Sequence, residues 1–153
     1  MAKLSKFSDK VKKINRKEAV PFATDGGEVI EFVVESRSDA EITALANRYE
    51  EMKPPVPSQK VPAGKSYKVI ENPNDPEYKR AVAAINKKHF NHMALMFLAA
   101  DEKPEGTEEE QLKAIEEVEL AGFTSKIVNK GLELSGLIEP EEVDEVIEAE
   151  RKN

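Results

Sequence analysis

The spacing of hydrophobic positions changes several times along this chain, and each change marks an element. Over 28–35, "EVIEFVVE", Val29, Ile30, Phe32, Val33 and Val34 are β-branched or aromatic, which predicts a strand. It follows "AVPFAT" (19–24) across "DGG" (25–27), a tract suited to a turn that needs positive φ, so the pair reads as a β-hairpin. Pro21 cannot donate to a ladder and puts the first strand at an edge. From 38 to 52 the period becomes helical. Ser38 and Glu41 form a capping box, and Ile42, Leu45, Ala46, Tyr49 and Met52 fall on one face.

Residues 54–75 break this order. Pro54, Pro55, Pro57 and Pro62 favour an extended, semi-rigid chain, which reads as a linker with a short strand at "SYKVIE" (66–71). "ENPNDPEYKRAV" (71–82) then acts as a helix start. Pro73 keeps Asn72 extended, Asn74 or Asp75 serves as N-cap, and Pro76 takes the first helical position. The helix is expected to run from Pro76 to about Ala100. Tyr78, Val82, Ile85, His89, Met93, Met96 and Ala100 make its stripe, which Ala81, Phe90 and Phe97 broaden.

Shorter helices are predicted beyond it. Thr107 and Glu110 open one that Gly122 closes, Thr124 caps another that stops at Gly136, and Pro140 starts a third with Val143, Val146 and Ile147. The expected fold is α+β and mostly α: an N-terminal hairpin, one helix, a Pro-rich linker, a long helix and acidic C-terminal helices. The expected units are a basic arm (1–18), hairpin plus helix (19–53), linker (54–75) and helical region with acidic tail (76–153).

Composition sharpens this picture mainly by exclusion. Among 153 residues 35% are charged and 39% hydrophobic, with no Trp and no Cys. Disulfides, thiolate nucleophiles and sulfur-ligated metals are therefore excluded. The most apolar stretch, "MALMFLAA" (93–100), is far shorter than the roughly 20 residues a bilayer span needs, and the basic N-terminus lacks the apolar segment of a secretory signal. A cytoplasmic location with no membrane partner is the expectation. Charge is polarised: residues 1–20 carry seven Lys/Arg against two acids, while residues 101–153 carry seventeen acids against six Lys/Arg. Nucleic acid is disfavoured as the main ligand, because the basic residues cluster at one terminus without interleaved aromatics and the net charge is −7.

Candidate chemistry is sparse. "AGKS" (63–66) lacks the earlier glycine of a phosphate loop, since Gln59 stands there, and two prolines remove amide donors. His89 and His92 lie three apart on the long helix, but a catalytic zinc takes three protein ligands. His89 is expected at the edge of the apolar stripe and His92 partly exposed. The many carboxylates sit on narrow helix faces, without the enclosure that acid–base pairs require. No enzyme, cofactor or metal is expected.

The order of elements carries a resemblance. A β-rich start, one helix, "PPVP" followed by "NPNDPEY", an alanine-rich helical continuation, and "ELAGF" leading into acidic helices together resemble the tail assembly chaperones of long-tailed bacteriophages, over about residues 28–150. The resemblance implies a non-enzymatic protein of the infected or lysogenic bacterial cytoplasm. Such proteins keep the tape measure protein soluble, help recruit tail tube subunits, and are missing from the finished virion. The residue reading is compatible, since methionine-rich faces suit adaptable contacts and an acidic exterior keeps a loaded complex in solution. Val82, Ile85, Met93, Met96 and Phe97 are the expected client-binding or self-association residues. Two alternatives are a structural virion component, such as a head–tail connector or small tail or baseplate protein, and a DNA-binding regulator using the basic arm at 3–17.

Overall fold

Two antiparallel hairpins and five helices make up the computed structural model, which describes residues 2–138. In chain order these are α1 (Ala2–Lys12), β1 (Lys17–Ala23), β2 (Val29–Glu35), α2 (Asp39–Glu50), β3 (Ser58–Ala63), β4 (Ser66–Glu71), α3 (Pro76–Phe97), α4 (Glu108–Glu116) and α5 (Phe123–Leu134), with a 3₁₀ turn at Ala100–Glu102. The fold is α+β and mostly α, as the patterning predicts. The helix expected after Pro140 lies outside the described residues.

The first hairpin pairs Val20 with Phe32 and Phe22 with Ile30. Its turn needs positive φ at one position, and Gly27 supplies it (φ 81°). Pro21 lies on β1, whose outer edge is unpaired. The opposite edge is partly filled. Beyond α3 the chain becomes extended, Leu98 bridges Val34, and the Ala99 N–H donates to the Val33 carbonyl at 3.0 Å. This bridge ends α3 at Phe97 rather than near Ala100. The inner face of the hairpin lies on α5, where Phe22, Phe32 and Phe123 form an aromatic triangle with centroids 5.3–5.8 Å apart.

The core is built where β2, the C-terminal half of α3 and α5 meet. Val34, Ala94, Phe97, Ile127 and Val128 are fully buried there. Gly131 on α5 lies directly against the Phe97 ring, and a Cβ at this position would overlap three of its carbons. Arg37 locks the junction. Its guanidinium donates to the carbonyls of Met96 (2.7 Å) and Leu98 (3.1 Å) and pairs with Glu35 (3.0 Å). The last turn of α3 contains no basic residue, so Arg37 supplies the cation favoured at a helix C-terminus from another part of the chain. Hydrogen bonds from Lys17 and then Arg37 lower the pKa of the Glu35 carboxyl.

Residues 2–12 of the basic arm form α1, with Lys10 and Lys12 in the last turn where the dipole favours cations. Three sequence expectations need correction. The strand expected at 66–71 is present as β4, but the Pro-rich stretch before it is more than a linker, because Ser58–Ala63 pairs with Ser66–Glu71 around a Gly64–Lys65 turn, with Gly64 at φ 68°. The helix expected over 108–121 stops at Glu116, where Glu116 and Glu117 oppose the negative end of the dipole. Gly122 then becomes the N-cap of α5 instead of a terminator, and Thr124 falls inside that helix. Starting α5 at Phe123 delivers that ring to the aromatic triangle. The expected stop at Gly136 does hold: Leu137 N–H bonds to Leu132 O (2.9 Å) and Gly136 N–H to Glu133 O (3.0 Å), a Schellman closure with Gly136 at φ 79°.

Candidate partner-binding surface

Helix α3 organises the candidate surface, and its start signal reads as expected. Asp75 caps it through Tyr78 N–H (3.0 Å) and Pro76 opens it. The five residues singled out from the sequence separate along its length. Val82 and Ile85 are half-buried in the N-terminal half, and Met93 and Met96 are half-buried against the core. Phe97 is fully enclosed and packs on Gly131, so it is a core residue and offers nothing to a partner.

The more open apolar feature lies about 100° round the helix from that stripe, one residue step. The α3 face that presents Phe97 and Ala94 to α5 continues toward the N-terminus through Phe90, Lys87 and Ala83, where α5 no longer covers it. There it forms one wall of a groove of about 960 Å³. The other wall is the connection between α4 and α5, where Val118 is 39% exposed and Leu120 55%. Glu116 and Glu119 stand at the same wall, and a smaller recess of about 390 Å³ between α3 and α4 shares Asn91 and Glu116 with it. Two signals in the sequence point here: Phe90, off the main stripe, and the apolar Val118 and Leu120 between two predicted helices.

Beside the groove, a polar cluster fixes α2, α3 and α4 to one another. The Tyr49 hydroxyl and His92 Nδ1 are 2.8 Å apart, and the Tyr49 ring stacks on His89 with centroids 5.3 Å apart. Arg48 pairs with Glu108 at 2.9 Å, and His92 Nε2 lies 3.9 Å from the same carboxylate. Burial lowers the pKa of both imidazoles, and for His92 the nearby Glu108 charge only partly opposes it. His92 is therefore a buried, hydrogen-bonded residue rather than a partly exposed one; the tyrosine partner explains why an imidazole is tolerated there. Among the described residues no group of three or more His, Cys, Asp or Glu is placed to hold a metal ion.

"AGKS" forms the turn of the β3–β4 hairpin. That hairpin makes little contact with other elements, every residue of β4 is exposed, and Tyr67, Val69 and Ile70 are among the exposed large side chains. Among the described residues no helix is long and apolar enough to cross a membrane. Comparison with models of known families, with curated proteins and with solved structures finds no match.

Proposed function

We propose that this protein is a tail assembly chaperone of a long-tailed bacteriophage or prophage. It holds amphipathic helices of the tape measure protein in solution in the host bacterial cytoplasm, helps recruit tail tube subunits, and leaves before the particle is complete. The observation that carries the reading is the open groove on α3. Its lining combines apolar Phe90, Val118 and Leu120 with polar Lys87, Glu116 and Glu119, which suits an amphipathic client helix. The half-buried Met93 and Met96 lie on the neighbouring face of the same helix and add adaptable contact surface. The order of elements supports the reading through its resemblance to such chaperones.

Co-expression with a tape measure fragment tests the proposal. Val118→Asp and Leu120→Asp alter exposed side chains and leave the core intact, so the variants fold, but the fragment is expected in the insoluble fraction. Equal solubilisation by wild type and both variants overturns the groove assignment. Mass spectrometry of purified particles separates the chaperone from a structural tail component, which would be present in them.

A further inference from the structure

The two hairpins present four outer strand edges among the described residues, and three of them carry an obstruction. In the first hairpin Thr24 N–H bonds to Glu28 O and Ser36 N–H to Arg16 O, so the even-numbered residues between them face across the ladder. The odd-numbered ones turn outward. Pro21 is among them and removes a donor from the β1 edge, while Val33 O on the β2 edge is taken by Ala99 N–H. In the second hairpin Asn72 N–H donates to Pro57 O at 2.7 Å, and the same alternation turns Ser58, Lys60 and Pro62 outward on β3. Pro62 interrupts that edge as well. On β4 the outward residues are Tyr67, Val69 and Glu71, and each carries an amide proton.

This open edge also bears apolar side chains. Tyr67 is 69% exposed and Val69 59% on one face of the hairpin, and Ile70 is 45% exposed on the other. A two-stranded hairpin alone is marginal in water, and an unprotected apolar edge is a template for a further strand.

The edge is complementary to itself. A two-fold axis at Val69 sets it opposite Val69 of a second copy and sets Tyr67 opposite Glu71, so the three outward residues pair entirely among themselves. Each such pair exchanges both N–H···O bonds, about six in all. The Tyr67 hydroxyl then stands beside the Glu71 carboxylate and Lys68 faces Ile70, so no like charges meet. A slip of two residues one way would set Lys68 against Lys68, and the other way would set Tyr67 against Pro73, which has no N–H.

We propose that the protein dimerises by antiparallel pairing of β4 with β4 of a second copy, which makes one four-stranded sheet of the two hairpins. The contact is isologous and leaves only the Pro62-bearing β3 edges at its rims, so pairing stops at two copies. It rests on neither the groove nor the client assigned to it.

Val69→Pro removes an outward N–H that the hairpin itself does not use, so it preserves the hairpin and blocks the pairing. Sedimentation equilibrium is expected to give a dimer for the wild type and a monomer for Val69→Pro, with the same circular dichroism. A dimer that survives Val69→Pro would place the contact elsewhere, and a monomeric wild type would leave the edge to an extended segment of another protein. Either result overturns the proposal. The absence of cysteine allows a second test that does not depend on the proline variant. Facing residues of a hydrogen-bonded antiparallel pair lie about 5.5 Å apart at Cα, within disulfide reach. Val69→Cys is therefore expected to form linked dimers under mild oxidation about tenfold faster than Lys60→Cys on the far edge, and equal rates for the two also overturn it.

Discussion

Replacing Gly131 by alanine inverts the ordinary rule for helices. In a helix interior this change gains about 1 kcal/mol from backbone propensity. Here the new methyl group would overlap three carbons of the Phe97 ring, which is fully buried and framed by Ala94, Ile127 and Val128. Overpacking of a tight core costs about 1–3 kcal/mol, and the enclosed ring places this site at the upper end. The net expectation is destabilisation by about 1–2 kcal/mol, or a loss of about 5 °C in Tm. Urea unfolding followed by circular dichroism measures it. Phe97→Leu should partly rescue Gly131→Ala, so that the double variant is more stable than the sum of the singles. A Gly131→Ala protein as stable as wild type would refute the packing described for α3 and α5.

Arg37→Met removes two bonds to the end of α3 and should cost about 2–3 kcal/mol in the same assay, since hydrogen bonds to a charged group are involved. Tyr49→Phe leaves His92 Nδ1 buried without its partner and should cost about 1 kcal/mol. Burial lowers the pKa of both His89 and His92 below the usual 6.5, so the unfolded chain takes up protons first. Their contribution is complete above about pH 7 and declines as pH falls through 6.5, so the urea midpoint should drop between pH 7 and 5, and less so in a His89→Gln/His92→Gln variant. Asn129 is fully buried with neither side-chain polar atom hydrogen-bonded to the protein; Asn129→Ala should therefore be neutral or slightly stabilising, and a loss above about 2 kcal/mol would contradict that placement.

Local chemistry was readable wherever one residue decides the outcome. Ser38, Asp75–Pro76 and the Thr107–Glu110 box start their helices as expected, and the β-branched and aromatic run in "EVIEFVVE" marks β2. Elements decided by distant partners were not readable. Only Val61 in "SQKVPA" favours a strand, and β3 exists through its pairing with β4. The start of α5 depends on Phe123 meeting Phe22 and Phe32, more than ninety residues earlier in the chain for each ring. The candidate surface was half legible: the periodicity identified α3 as the organising helix but not which face the fold leaves open. Phe97 and Phe90 share one side of α3, and only the position where α5 begins makes the first a core residue and the second a groove wall.

Hydrogen–deuterium exchange of the purified protein with and without a tape measure fragment tests the groove most directly. The account predicts client-dependent protection in 83–91 of α3 and 116–125 of the facing wall, with β3–β4 unchanged. Protection confined to the β3–β4 hairpin, or unchanged exchange throughout in a complex that remains intact, would contradict it.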